Sequence, residues 1–380
     1  MKYFAAIVVL GVAAILAIAA AHGGHEFPVY PSYYPHDITL ETMAPDAAAE
    51  GLRSSKIQAY IGPEPGFGAK PPDSIAAVES LGSFIVVRVN PGSALVHDGG
   101  STCTLVRSVI REIASHGEGV TIHPYPVTPL HGDYLYHADL AEAARARFLQ
   151  EGPPAPHLKV RLIGTAVQNL VRRQWATQSE QWDASVEAVD AETLVEGVAT
   201  QLNGWMGPPW LRTGWFQAAL LLAPSLAEAS VRDQVQAERH RLEAADYAGP
   251  VERINLERDL VTALTARCDA VVAGFTTKRE YFNTDYSAGI ENIGYDFITG
   301  FDSPTFIRTV KLKDFPWNGW LAIGIDSKPT AAWNPIAGFN DRFGRLLWSA
   351  LGDPALIPAP NDAGWMLNRI SDVQSRGPRR

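Results

Sequence analysis

Cysteine is nearly absent: the 380 residues contain two, Cys103 and Cys268. No C-x-x-C or C-x-x-C-H occurs, which leaves thioredoxin-type redox chemistry and attached c-type haem without support. Basic residues are also scarce, with 32 Lys and Arg against 41 Asp and Glu and a formal net charge of −9. Binding to bare nucleic acid needs the opposite balance, because a basic surface must displace phosphate counterions. Docking on an anionic leaflet needs a basic patch, and only short ones such as Arg172-Arg173 and the last two residues are present. The chain has no Walker loop, no G-x-G-x-x-G after a strand, no G-x-S-x-G, no H-E-x-x-H and no EF-hand loop, so no common phosphate, hydrolase, zincin or calcium motif speaks for it. No internal repeat of fixed period is found.

The most informative segment is the first. Phe4 to Ala21 is an unbroken apolar run with Lys2 as the only charge before it and no Lys or Arg after it until Arg53. That asymmetry puts the N-terminus in the cytoplasm and the rest outside, in a periplasmic or other extracytoplasmic space. Ala19-Ala20-Ala21 fits a signal-peptide cleavage site, and the length of the run also meets the lower limit of a transmembrane helix. Both readings, a cleaved export signal and a retained membrane anchor, stay open. A lone cysteine pair in an oxidising compartment is expected to form a disulfide, here between Cys103 and Cys268, with separate buried thiols as the alternative.

An apolar content of 46% and a charged content of 19% describe a globular domain rather than a disordered chain. Residues 22–55 begin with a Pro, aromatic and His-rich stretch that favours an extended arm. Residues 56–165 carry strand patterns at Lys56–Ile61, Phe84–Val89, Gly119–His123 and Leu158–Ile163, with a helix ending at Gly117 and another started by Asp139. The strand–helix–strand order around residue 100 is that of a βαβ unit. Residues 166–268 form a helical section. The helical pattern runs from about 184 to 267, with 214–223 apolar almost all round and so deeply buried, and a helix starting at Pro250. Residues 269–380 return to strands at Ala270–Phe275, Thr305–Leu312 and Leu321–Ile325, with a last helix over Asn340–Leu351, and complete the same globular unit. The expected class is α/β, or mixed α+β, with a partly parallel sheet and a helical middle, behind an N-terminal export or anchor helix at residues 1–21.

Four groups of residues are candidates for chemistry. Five of the 10 histidines fall between residues 97 and 137, and His123, His131, Asp133 and His137 lie in or beside a proline-stiffened loop. Neutral imidazole with carboxylate suits Cu or Zn, so these are the candidate metal ligands. Cleavage after Ala21 would expose His22 as residue one, whose amine and imidazole would chelate copper. This is similar to the histidine brace of copper monooxygenases and some copper carriers, although those are mostly β-sandwiches. The turn Asp98-Gly99-Gly100-Ser101-Thr102 offers helix N–H groups to an anion, or is simply a capped helix start. Finally, Trp205, Trp210 and Trp317, with Tyr281, Asp285, Glu291, Asn292, Tyr295 and Asp296, interleave rings with polar groups in the manner of a wall that grips a small organic ligand. The segment Asn283–Phe301, with glycines at 289, 294 and 300, is expected to line the functional cleft.

The favoured function is an exported, anchored or free domain that binds a small molecule or metal ion outside the cytoplasm. The alternatives are a Cu- or Zn-assisted enzyme and an accessory subunit with a membrane protein as partner. No residue stands out as a nucleophile, and none is assigned a catalytic role.

Overall fold

The computed structural model describes residues 35–68, 70–151, 157–201, 208–286, 289–313, 319–330, 341–352, 354–360, 362, 364–368 and 370–372. The fold is α/β with parallel and antiparallel strand pairs. In chain order the elements are β1 (Asp37–Thr42), α1 (Pro45–Arg53), β2 (Ala59–Ile61), β3 (Ile75–Val89), α2 (Gly99–His116), β4 (Thr121–Ile122), α3 (Ala138–Leu149), β5 (Val160–Ile163), β6 (Ala176–Thr177) and β7 (Ala184–Asp190). Then come α4 (Ala191–Gln201), α5 (Gly214–Leu222), α6 (Ala229–Glu243), α7 (Pro250–Thr265), β8 (Ala270–Asn283), β9 (Ile290–Asn292), α8 (Pro304–Thr309), β10 (Lys311–Leu312), β11 (Trp320–Ile325), α9 (Arg342–Leu351), β12 (Leu356–Pro358) and β13 (Trp365–Leu367). Short 3-10 turns lie at Tyr134–Tyr136, Pro209–Arg212 and Ala223–Ser225. Among the described residues no helix is long and apolar enough to cross a membrane. The Phe4–Ala21 run lies outside them.

The chain divides into two compact units. Of the described residues, the smaller holds those within 35–77, 281–293 and 309–327, and the larger those within 78–280, 294–308 and 328–372. In the smaller unit β1 and β2 flank β11 in parallel, and β2 pairs antiparallel with the end of β8. Helix α1 opens on Pro45, whose missing N–H is no loss at a helix start, and buries Ala48, Ala49 and Leu52 against Ile57, Tyr60 and Tyr281.

In the larger unit β3 pairs antiparallel with β7, β7 pairs parallel with β5, and β5 pairs parallel with β6. The run Phe84-Ile85-Val86-Val87 is apolar at every position because both faces of this strand are covered. Phe84 and Val86 point into one core, with Trp215, Phe216, Leu221 and Leu260. Ile85 and Val87 point into the other, with Val106, Val109, Ile110 and Ile113 of α2. Cys103 and Cys268 are joined by a disulfide, with Cα atoms 5.0 Å apart.

Several elements depart from the sequence-based expectation. The strand after α2 does not form a parallel βαβ pair: β4 runs antiparallel to β8, and the parallel pairs arise elsewhere. Residues 184–190 are a strand rather than helix, because Ala184, Val186 and Ala188 alternate with polar neighbours and fit the register opposite Val89, Val87 and Ile85. Residues 304–309 are a helix rather than strand. Pro304 supplies a first-turn φ, and the Ser303 hydroxyl accepts the Phe306 N–H at 3.2 Å as an N-cap does. Helix α3 starts at Ala138, one residue before Asp139, which sits in its first turn and pairs with Arg258 instead.

Candidate functional site

The larger unit carries a cavity of about 150 Å³. Three short elements with helical spacing build most of its wall. Glu192, Val195 and Glu196 share one face of α4, and Arg345, Leu346 and Ser349 share one face of α9. The 3-10 turn contributes Leu211 and Arg212, and residues 296–305 contribute Asp296, Thr299 and Asp302 to Thr305. Leu211, Leu346, Val195, Pro208, Pro304 and Pro358 form the apolar part.

Several charged groups in and behind this wall are held by one another. Asp296 is buried, and its Oδ1 accepts the N–H groups of Ile298 (2.8 Å) and Thr299 (3.2 Å) while Oδ2 accepts from Arg212. Arg212 also donates to the Ala359 carbonyl at 2.7 Å. Deeper in the wall, Arg342 lies 3.0 Å from Asp302, 3.4 Å from Glu192 and 3.6 Å from Glu280. Lys278 adds contacts to Glu280 at 3.3 Å and Glu192 at 3.7 Å. Burial pushes the Asp302 carboxyl up to about 7 against the pull of Arg342. Burial acts the same way on Glu192, but Arg342, Lys278 and a hydrogen bond from Asp302 outweigh it and hold Glu192 below its ordinary value.

The backbone of this wall depends on Gly300. Its φ is +67°, and a Cβ there would lie 2.0 Å from a Glu280 carboxylate oxygen, the same oxygen that accepts the Phe301 N–H. Asp296 and Gly300 close the loop with reciprocal backbone bonds of 3.0 and 2.7 Å.

Of the residues singled out for ligand gripping, Asp296 lines this cavity. Trp210 packs on Trp215 and Phe216 in the core, with ring centroids 6.5 and 4.7 Å away. Tyr281 is buried in the smaller unit, donating to Glu64 at 2.7 Å and edging Phe67. Asp285, Glu291 and Asn292 also belong to the smaller unit, the last two exposed. Tyr295 is half-buried against Phe297. Segment 283–301 is thus divided, with 283–293 in one unit and 294–301 in the other. Trp205, Trp317 and His22 lie outside the described residues. The Asp98 turn is a helix start: Asp98 accepts the Ser101 N–H at 2.7 Å, and the Ser101 hydroxyl accepts the Asp98 N–H at 2.9 Å, a complete capping box.

The histidines of this group have separate hydrogen-bond partners. His123 bonds the Val127 carbonyl at 2.9 Å, and His131 bonds Thr128 and, at 3.1 Å, Gln217. Burial lowers the pKa of both, so both are neutral. Asp133 accepts the N–H groups of Gly214 (2.9 Å) and Trp215 (3.1 Å) and so caps α5 from outside it. His137 lies near Asp133, and the third residue beside them is Glu257 of α7.

Sequence reasoning missed Glu192, Asp302, Arg212, Arg345 and Glu257. Only Glu257 left a signal. It falls among Leu256, Leu260, Val261 and Leu264 on the buried stripe of α7, and a carboxylate on an apolar stripe needs a buried partner. The others come from segments far apart in the chain.

No family model and no curated protein matches this chain. Solved structures with some likeness include HbpA2 from Haemophilus parasuis (TM-score 0.40, 10% identity, 71% of this chain and 56% of that one). Others are the oligopeptide-binding protein AppA from Bacillus subtilis in complex with a nonapeptide (0.36, 12%, 68% and 57%) and NikZ from Campylobacter jejuni in complex with Ni(L-His) (0.34, 11%, 66% and 56%). This chain spans little more than half the length of each, and likeness at these TM-scores assigns it neither a family nor a ligand.

Proposed function

We propose that this chain is an extracytoplasmic binding protein whose larger unit holds a small molecule carrying an amine and a carboxylate on an apolar body. The observation that carries this reading is the wall of the cavity. It combines carboxylates (Glu192, Glu196, Asp302), guanidiniums (Arg212, Arg345) and an apolar patch around one space. Charges of both signs around a cavity match a zwitterion, each end of which meets a group of opposite sign. A space of about 150 Å³ suits a body the size of a single ring. Among the described residues the lining contains no histidine and no cysteine, and the Ser303 and Ser349 hydroxyls are engaged with backbone groups, which favours holding a ligand over attacking it. The extracytoplasmic placement rests on the Phe4–Ala21 run behind Lys2 and on the Cys103–Cys268 disulfide.

Calorimetric titration with small amino acids, each beside its amine-only and acid-only analogue, tests this. The zwitterion is expected to bind at least about tenfold more tightly than either analogue, with Glu192→Gln weakening the gain from the amine and Arg345→Gln the gain from the carboxylate. Equal binding of all three forms, or none, removes the reading.

A further inference from the structure

We propose that Asp133, His137 and Glu257 form a binding site for one divalent first-row transition-metal ion, of the zinc type, in the core of the larger unit. One ligand atom from each of the three lies within 4.8 Å of the others, and all three side chains are buried. These side chains also carry unsatisfied atoms: His137 Nε2 and Glu257 Oε2 have no hydrogen-bond partner among the described protein groups, although His137 is 0% and Glu257 1% exposed. A buried imidazole nitrogen and a buried carboxylate oxygen without partners are costly, and a cation placed between them satisfies both.

Neighbouring hydrogen bonds hold all three side chains. Glu257 Oε1 accepts from Arg253 at 2.7 Å, which leaves Oε2 as its unpartnered oxygen. The two Asp133 oxygens each accept one backbone N–H from the start of α5, which fixes the carboxylate and leaves a second lone pair on each oxygen. His137 Nδ1 lies 2.9 Å from the Tyr125 hydroxyl. A phenol oxygen can accept Nδ1–H. That tautomer presents the Nε2 lone pair, as the outer bond of a metal-bound histidine does. One nitrogen and two carboxylate oxygens suit Zn²⁺ and its neighbours, with bonds of about 2.0–2.2 Å and a fourth position for water. A water molecule alone, with hydrogen bonds near 2.8 Å, spans the same gap and is the competing occupant. The ion is favoured because the cluster brings two carboxylates together, while the nearby guanidiniums are engaged elsewhere, Arg253 on Glu257 Oε1 and Arg258 on Asp139.

The set is not the one the histidine density suggested. His123 and His131 are spent on Val127, Thr128 and Gln217, and the third ligand arrives from a helix about 120 residues further on. It shares no residue with the cavity of the proposed function, so the two readings fail separately.

The test is to unfold the purified, disulfide-intact protein in denaturant with a chelator, refold it with ZnCl₂, remove free metal by gel filtration and measure bound zinc by plasma emission. About one equivalent is expected in the wild type and in His123→Gln, and almost none in Glu257→Gln or His137→Gln with native circular dichroism. Glu257→Gln keeps the shape and the Arg253 bond, so it separates metal loss from misfolding. Wild-type protein that refolds without retaining zinc, or an equal zinc content in Glu257→Gln, overturns the proposal and leaves a water-filled polar cluster.

Discussion

At the scale of single residues, the larger unit places charge inside only where a partner is fixed beside it. Asp296 is the clearest case. Its oxygens accept two backbone N–H groups and the Arg212 guanidinium, whose side chain is 15% exposed. Replacing Asp296 with alanine leaves Arg212 half-stranded and two amides unbonded, so the loss in stability should be about 3–5 kcal/mol by urea unfolding. Arg212→Met together with Asp296→Ala should recover part of that loss, because the stranded charge goes with its partner. A single-variant loss below about 1 kcal/mol would show that the pair is solvated and not structural. The same residue shows how a candidate changes meaning. As sequence, Asp296 is a polar group among rings; in the fold it holds the loop that forms the cavity wall.

At the scale of elements, hydrophobic pattern decided burial well and type less well. Helix α5, apolar almost all round, is buried along nearly its whole length, whereas the charged α6 buries only Val235 and Leu242. Gly214 opens α5 because a Cβ there would meet Val127 Cγ1 at 2.4 Å. Helix α2 is tied by Cys103 to Cys268, just beyond α7, across a sequence separation of 165. Closing so long a loop removes much of the unfolded chain's freedom. Replacing both cysteines with serine should therefore cost about 2–5 kcal/mol, and reductant should lower the melting temperature of the wild type but not of the variant. Equal sensitivity of the two proteins to reductant would exclude the disulfide.

At the scale of the whole molecule, pH acts through a few buried groups. Asp302 binds its proton up to about pH 7 in the folded chain but only to about pH 4 when unfolded. Between those values the folded state holds more protons, so this group's stabilising effect is complete at low pH and is lost as pH rises through 7. The buried histidines His123 and His131 act oppositely, since burial lowers their pKa and the folded state forgoes a proton that the unfolded chain takes up below about 6.5. The surface carboxylates Asp98 and Glu252, held low by hydrogen bonds, matter only in acid. The informative quantity is therefore a difference. Wild type minus Asp302→Asn should lose stability between pH 5 and 8, by chemical unfolding at each pH, and a difference that is flat over that range would contradict the raised carboxyl.

What the sequence determined by itself is whatever depends on neighbours in the chain. The α/β class, the burial of residues 84–89 and 214–222, the helix start at Pro250 and the stop at Gly117 all follow from periodicities, caps and breakers within a dozen residues. Short elements escaped: residues 184–190 and 304–309 have too few turns for periodicity to separate strand from helix, and register or a single cap settled them. The sites escaped more fully. His123, His131 and His137 are close in sequence, yet His137 groups with Asp133 and Glu257, while His123 bonds Val127 and His131 bonds Thr128 and the distant Gln217. The His137 group with Glu257, and the cavity set of Glu192, Arg212, Asp302 and Arg345, meet only through tertiary packing. Local pattern is fixed by interactions over one or two turns, whereas a buried charge finds its partner wherever the packed elements bring one within a few ångströms, and sequence distance carries no memory of that.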